Sequence, residues 1–205
     1  MDTLPEQPVY AIVPSQGPSI ESDRLRLRPV TDADAPALYA VRSRWEVAQM
    51  NHPKIPFKSV EETREWMSTK VFTEGPSDVL GRSFNYAILD KSIPESQEQV
   101  IGSVSINAVY PFPEIGYALL PEAWGKGYMT EALNLLLKMW WDLPRRTIEG
   151  SQPPGEKEKV FALCEVQNVG SSGVLKKCGF KFISDYRHEQ DELIVWGLEK
   201  PSISN

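Results

Sequence analysis

Arg24-Leu25-Arg26-Leu27-Arg28 alternates basic and apolar residues, the period of a half-buried strand, and predicts one within 21–29. From Thr31 or Asp32 the period lengthens, and Leu38 and Val41 fall on one helical face. Glu61 to Met67 fits a second helix, with acidic residues in its first turn where they complement the dipole. Phe84–Leu89 and Gln99–Ile106 read as strands, and Ile115–Leu120 as another. Met129, Leu133, Leu136, Leu137 and Trp140 then recur at helical spacing. Val160–Val166 has strand character, Asn168 suits a helix start and Gly179 its stop, and Val195–Leu198 fits a last strand. The pattern predicts an α/β chain of about six to seven strands and about four helices.

Two segments fall outside it. Residues 1–20 carry Pro5, Pro8, Pro14 and Pro18 without sustained periodicity, and predict an extended arm that packs on the core or on a second subunit. Residues 144–158 contain Arg145-Arg146 and Pro153-Pro154-Gly155, and predict a surface loop inserted in a domain spanning 21–205.

Composition narrows the classes. A chain of 205 residues with 41% hydrophobic content can bury one sizeable core. No apolar run is long enough to span a membrane, no signal-peptide core follows Met1, and Asp2 excludes a myristoylation signal. Cys164 and Cys178 read as small buried residues of a reducing, cytoplasmic compartment rather than as a disulfide. His52 and His188 give no metal-ligand spacing, so no metal is expected. The net charge of −6 argues against nucleic-acid or membrane partners and would suit a cationic amine.

The chemistry is concentrated in Pro121-Glu122-Ala123-Trp124-Gly125-Lys126-Gly127-Tyr128-Met129-Thr130-Glu131-Ala132, between a strand and a helix. A glycine-containing turn that opens a helix aims free N–H groups and the positive dipole end at one spot, which suits a phosphate. A P-loop is excluded because Gly127 follows Lys126, and a dinucleotide fingerprint because Thr130 stands where glycine is needed. The stretch resembles the acyl-coenzyme A loop of the GNAT superfamily of N-acetyltransferases, usually Gln/Arg-x-x-Gly-x-Gly/Ala, with Glu122 departing at the first position. The wider run is most similar to the branch that includes ribosomal-protein N-terminal acetyltransferases. That branch's second motif, Asn-x-x-Ser-x-x-Val-Leu-x-Lys-x-Gly-Phe, is matched by Asn168, Ser171, Val174, Leu175, Lys177, Gly179 and Phe180.

The resemblance covers roughly 22–200 and implies a single domain with a mixed, mostly antiparallel twisted sheet, splayed near the cofactor loop. It implies acetyl-CoA as cosubstrate, its pyrophosphate on the N–H groups of Trp124, Gly125, Lys126, Gly127, Tyr128, Met129 and Thr130. The pantetheine arm would lie along the strand edge at Leu119 and Leu120, with Asn168 holding the pantetheine or a water. An N–H at Leu119 or Leu120 would hold the thioester oxygen. The reaction implied is direct attack by a neutral primary amine. Glu114 is the candidate base, and Ser171 the proton donor to the leaving thiolate, since Leu175 stands where some members carry a tyrosine. An acceptor pocket is expected from the loop 44–52 with Trp45, from Tyr86 and Tyr110, and from the strand face carrying Ser103, Ser105 and Asn107, for a small amine or a peptide N-terminus, in a monomer or homodimer. Two rivals belong to other classes: a non-catalytic acyl-CoA sensor or scaffold, and a protein-interaction module built on Trp124, Trp140, Trp141 and the arm.

Overall fold

The computed structural model describes residues 4–148 and 157–202. Eight strands form one sheet: β1 Ile20–Glu21, β2 Leu25–Pro29, β3 Phe84–Asp90, β4 Val100–Ala108, β5 Glu114–Leu119, β6 Lys159–Glu165, β7 Lys181–His188 and β8 Asp191–Glu199. Their spatial order is β1-β2-β3-β4-β5-β6-β8-β7. Every neighbouring pair is antiparallel except β5 with β6. That parallel pair holds only at Glu114↔Phe161 and Ile115↔Ala162, after which the two strands part. Five α-helices accompany the sheet: α1 Ala35–Arg42, α2 Trp45–Ala48, α3 Val60–Ser68, α4 Tyr128–Asp142 and α5 Val169–Lys177.

Three elements exceed the sequence expectation. β1 is two residues long and α2 is a single turn, both too short for periodicity to register. β7 is an outer strand with mostly exposed side chains, so no apolar alternation marks it.

Strand alternation divides the helices between two faces. On one face α4 buries Leu133, Leu136 and Trp140 against Val104, Ile106 and Ile115. On the other, Ala37 and Leu38 of α1 pack on Ala87, Leu89 and Val100, while Val41 and Val47 meet Ala118. The arm packs on the core: Val9, Ala11 and Val13 are buried, and Ala11 bridges to Arg145. Gln7 exchanges hydrogen bonds with the backbone of Lys159 at 2.7 and 2.8 Å. The start of the predicted 144–158 loop is thereby fixed, and 149–156 lie outside the described residues.

Asp34 anchors the α1 corner. It is 4% exposed, takes two hydrogen bonds from Arg28 at 2.6 and 2.8 Å, and accepts from the Thr31 N–H at 2.7 Å. Burial alone would raise its pKa, but the donors from Arg28 and Thr31 outweigh that and hold it below the ordinary value. Its contribution is therefore present above the ordinary carboxylate range and is lost as pH falls through the lowered value. Asp34→Asn is expected to cost about 3 kcal/mol in urea denaturation near neutral pH and to flatten the acid limb of stability. An unchanged midpoint would remove Asp34 as an anchor.

Candidate active site

A cleft of about 940 Å³ opens where β5 and β6 part. The Leu120 N–H donates to Ile101 O at 2.8 Å, so alternation turns the backbone groups of Tyr117 and Leu119 to the opposite, open edge. Of the two predicted N–H donors, Leu119 is the available one and Leu120 is already committed to β4. The Leu119 carbonyl accepts from the Trp124 indole at 3.0 Å, which ties the glycine loop to the strand end.

The loop turns into α4 through Gly125 and Gly127, at φ +74° and +77°. Gly127 is the N-cap, and its left-handed conformation is what a Cβ would strain. The first-turn N–H groups of Tyr128, Met129 and Thr130 have no intrahelical acceptor and face the cleft end. Arg24 braces the loop from outside, donating to Lys126 O at 2.9 Å and to Glu131 at 2.8 Å from its Nε. Trp124, Gly125, Gly127, Tyr128, Met129 and Thr130 all line the cleft. Lys126 does not: it is exposed, with its ammonium 5.9 Å from the Tyr128 ring. Lys177, near the end of α5, lines the cleft instead.

Opposite β5, Asn168 caps α5 by accepting from the Ser171 N–H at 2.9 Å. The Ser171 hydroxyl lies 2.6 Å from that of Tyr117. Sequence reasoning placed Ser171 here but missed Tyr117, because its strand position gave no sign of which helix it faced. Burial raises the Tyr117 phenol well above the ordinary tyrosine value, and the Ser171 hydrogen bond offsets only part of this. Tyr117 therefore stays protonated. Leu175, where a tyrosine was considered, is fully buried.

Glu114, Gly116 and Ala118 share the other face of β5 with Ser103 and Ser105. Ser105 donates to Asn107 Oδ1 at 2.7 Å, and Asn107 lies so close over β5 that a Cβ on Gly116 would sit 1.9 Å from its Nδ2. Ser105 is buried beneath this contact, and Asn107 presents the polar surface to the cleft. Lys70 donates to Asn107 Oδ1 at 3.3 Å. Burial, with Arg42 adding repulsion and Glu114 opposing, lowers Lys70 to about 8. Burial also lowers Arg42 to about 10. The Glu114 carboxyl is raised by burial, with Lys70 pulling it partly back.

The predicted acceptor residues fare unevenly. Tyr86 pairs with Val104, not with the Ser103–Ser105 face, and lies 1% exposed in the core against Phe84. A strand's period of two puts Asn85 on the cleft face instead. Trp45 and Tyr110 are both 57% exposed and do not line the cleft. Asn107 and the loop residues Gln49, Met50, Asn51 and His52, expected here, do line the cleft. Arg42 and Lys70 were missed; they stand on separate segments with no spacing that links them. Among the described residues no cluster of three or more His, Cys, Asp or Glu could hold a metal, and no helix is long and apolar enough to cross a membrane. Cys164 and Cys178 are free.

Gly127→Ala should lower stability by about 1 kcal/mol, because the left-handed conformation strains a Cβ that otherwise meets only Arg24 Nη2 at 3.7 Å. Equal denaturation midpoints for variant and wild type would show that the turn adapts without strain.

Residues 24–181 match the acetyltransferase (GNAT) domain family. The chain is 29% identical over 169 residues to an uncharacterized N-acetyltransferase, YoaA, of Bacillus subtilis (strain 168), a match covering 80% of this chain and 83% of that one. The fold is similar to the ribosomal L7/L12 alpha-N-protein acetyltransferase RimL in complex with coenzyme A, at TM-score 0.66 and 20% identity over 89% of this chain and 98% of that one. It is also similar to the Salmonella typhimurium acetyltransferase that modifies the N-terminal serine of L7/L12, at TM-score 0.63 and 19% identity over 87% and 96%. With that family's loop, splay and second motif in one cleft, the chain belongs to the GNAT acetyltransferases and is an acyltransferase enzyme.

Proposed function

We propose that this enzyme transfers the acetyl group of acetyl-CoA to a primary amine by direct attack, with both substrates held in the cleft. The observation that carries the reading is the parting of β5 from β6 beside a helix N-terminus. The parted edge offers strand-type hydrogen bonds to an amide-bearing arm, and the α4 first turn offers donors to phosphates. The residues fit acetyl-CoA: Gly125, Gly127, Tyr128, Met129, Thr130 and Lys177 for its phosphates, Tyr117 and Leu119 for the pantetheine. When bound, it supplies the activated acyl group.

The chain's own residues supply the rest. Leu119 N–H points to where charge develops on the carbonyl oxygen. Glu114 stands four residues before Ala118, about 13 Å along the strand at 3.3 Å per residue, so it draws the amine proton through ordered water. Its raised carboxyl suits a base for this work better than an ordinary surface glutamate. The Tyr117–Ser171 pair holds a proton where the departing sulfur needs one, and solvent restores it. The new N–C bond thus replaces the C–S bond, with one proton leaving the amine and one reaching the thiol. The acceptor is a protein or peptide N-terminus or a small amine, and the likeness to the ribosomal-protein acetyltransferases supports the former.

Initial-rate kinetics following free thiol release test this. Double-reciprocal lines for the two substrates should intersect; parallel lines would mean an acyl-enzyme and contradict direct transfer. Glu114→Gln should lower kcat/KM by about 100-fold and abolish its rising limb with pH. In wild type that limb should lie above the ordinary carboxylate range, because burial raises Glu114. An unaltered profile in the variant would take the base role from Glu114.

A further inference from the structure

At the acceptor end of the cleft two cations, Arg42 and Lys70, stand without an ion-pair partner among the described residues. Arg42 stacks its guanidinium 4.1 Å from the Trp66 ring centre and 5.9 Å from that of Phe57. Its one hydrogen bond among the described residues is long, 3.4 Å from Nη1 to Asn51 Oδ1, which leaves most of its five donors without a protein acceptor. Lys70 is held 4.9 Å over the same Trp66 ring and donates only to Asn107. Neither cation forms an ion pair with Glu114 or with any other carboxylate among the described residues. The other carboxylates that line this end each have a cation: Glu46 shares Arg44 with Glu122, and Glu165 and Asp191 share Lys54.

Recessed cations that lack counter-ions are costly, and here they are built in rather than incidental. Trp66 and Phe57 fix the guanidinium plane, and Gly116 makes room for the amide that holds Lys70. An ion-paired strap also crosses the cleft. Lys54, on the segment between α2 and α3, reaches Glu165 at 2.8 Å and Asp191 at 2.7 Å, tying one wall of the cleft to the other. His52 and His188 meet edge to face at 6.1 Å on the same line.

We propose that the acceptor is a small primary amine bearing an oxyanion, a carboxylate or a phosphate, that Arg42 and Lys70 clasp while the amine points toward the thioester. This rests on reading the cleft as the acceptor site of an acetyltransferase. The protein is acidic overall and the cleft lining is balanced in charge, yet Arg42 and Lys70 stand together in it without an ion-pair partner among the described residues. Burial, with a smaller push from Arg42, lowers Lys70 to about 8, so it remains mostly charged at neutral pH.

Matched probes separate the possibilities: β-alanine against β-alaninamide for the carboxylate, and phosphoethanolamine against ethanolamine for the phosphate. Trp66 fluorescence, which sits on both cations, reads binding without acetyl-CoA, and thiol release reads transfer. In wild type the anionic member of at least one pair should bind at least tenfold more tightly, and the better pair identifies the oxyanion. Lys70→Met should bring that ratio toward one. Arg42→Lys, which keeps the charge but loses the planar fork, should reduce it part way. Equal binding within both pairs would overturn the proposal even if the neutral amines are acetylated. So would faster acetylation of an uncharged Ser-Ala peptide amide than of either anionic amine. Anion binding that depends on Arg42 and Lys70 without any transfer would uphold the subsite and overturn the acetyltransferase reading of the acceptor.

Discussion

Between Glu114 and Leu119 the sheet changes character, and the site depends on that change. β5 keeps its ladder with β4 along its whole length but holds β6 for only two residues. Beyond Ile115 one edge of β5 faces a cleft instead of a strand. An unpaired edge deep in a protein is costly unless something meets its polar groups. Here the Trp124 indole takes the Leu119 carbonyl, and the rest of the edge opens onto the cleft. The same parting brings the α4 first turn, the α5 cap and the Tyr117–Ser171 pair around one space.

The two faces of β5 then divide the labour. Tyr117 points toward α5 and meets Ser171, the pair we propose serves the leaving sulfur. Glu114 and Gly116 lie on the other face, with Asn107, Lys70 and Arg42, where we propose the amine approaches. A single strand thus separates the donor side from the acceptor side. Its outer neighbours, the bound arm and the Arg28–Asp34 anchor, hold the sheet that positions it.

The donor side was legible in the sequence because it is local. Trp124 to Thr130 and Asn168 to Phe180 are contiguous runs in which turn chemistry, capping and helix spacing coincide, and their geometry follows from their order. The acceptor side was not. Arg42 and Lys70 lie on separate segments that only the fold brings together with Asn107. Tyr86 shows how fragile such a reading is: one residue of strand register puts it in the core and Asn85 on the cleft face. Ser105 sits on the correct face yet beneath Asn107. Leu119 and Leu120 were equivalent in sequence, and only the hydrogen bond to Ile101 distinguishes them.

Amide hydrogen exchange of the intact protein, with and without acetyl-CoA, tests most directly whether the parted strand edge is the cofactor seat. Saturating acetyl-CoA should slow exchange at Tyr117, Leu119 and Gly125 to Thr130, and leave the β7–β8 hairpin at 186–193 unaffected. Unchanged exchange along 117–130, in protein that demonstrably binds acetyl-CoA, would place the cofactor elsewhere and contradict the account.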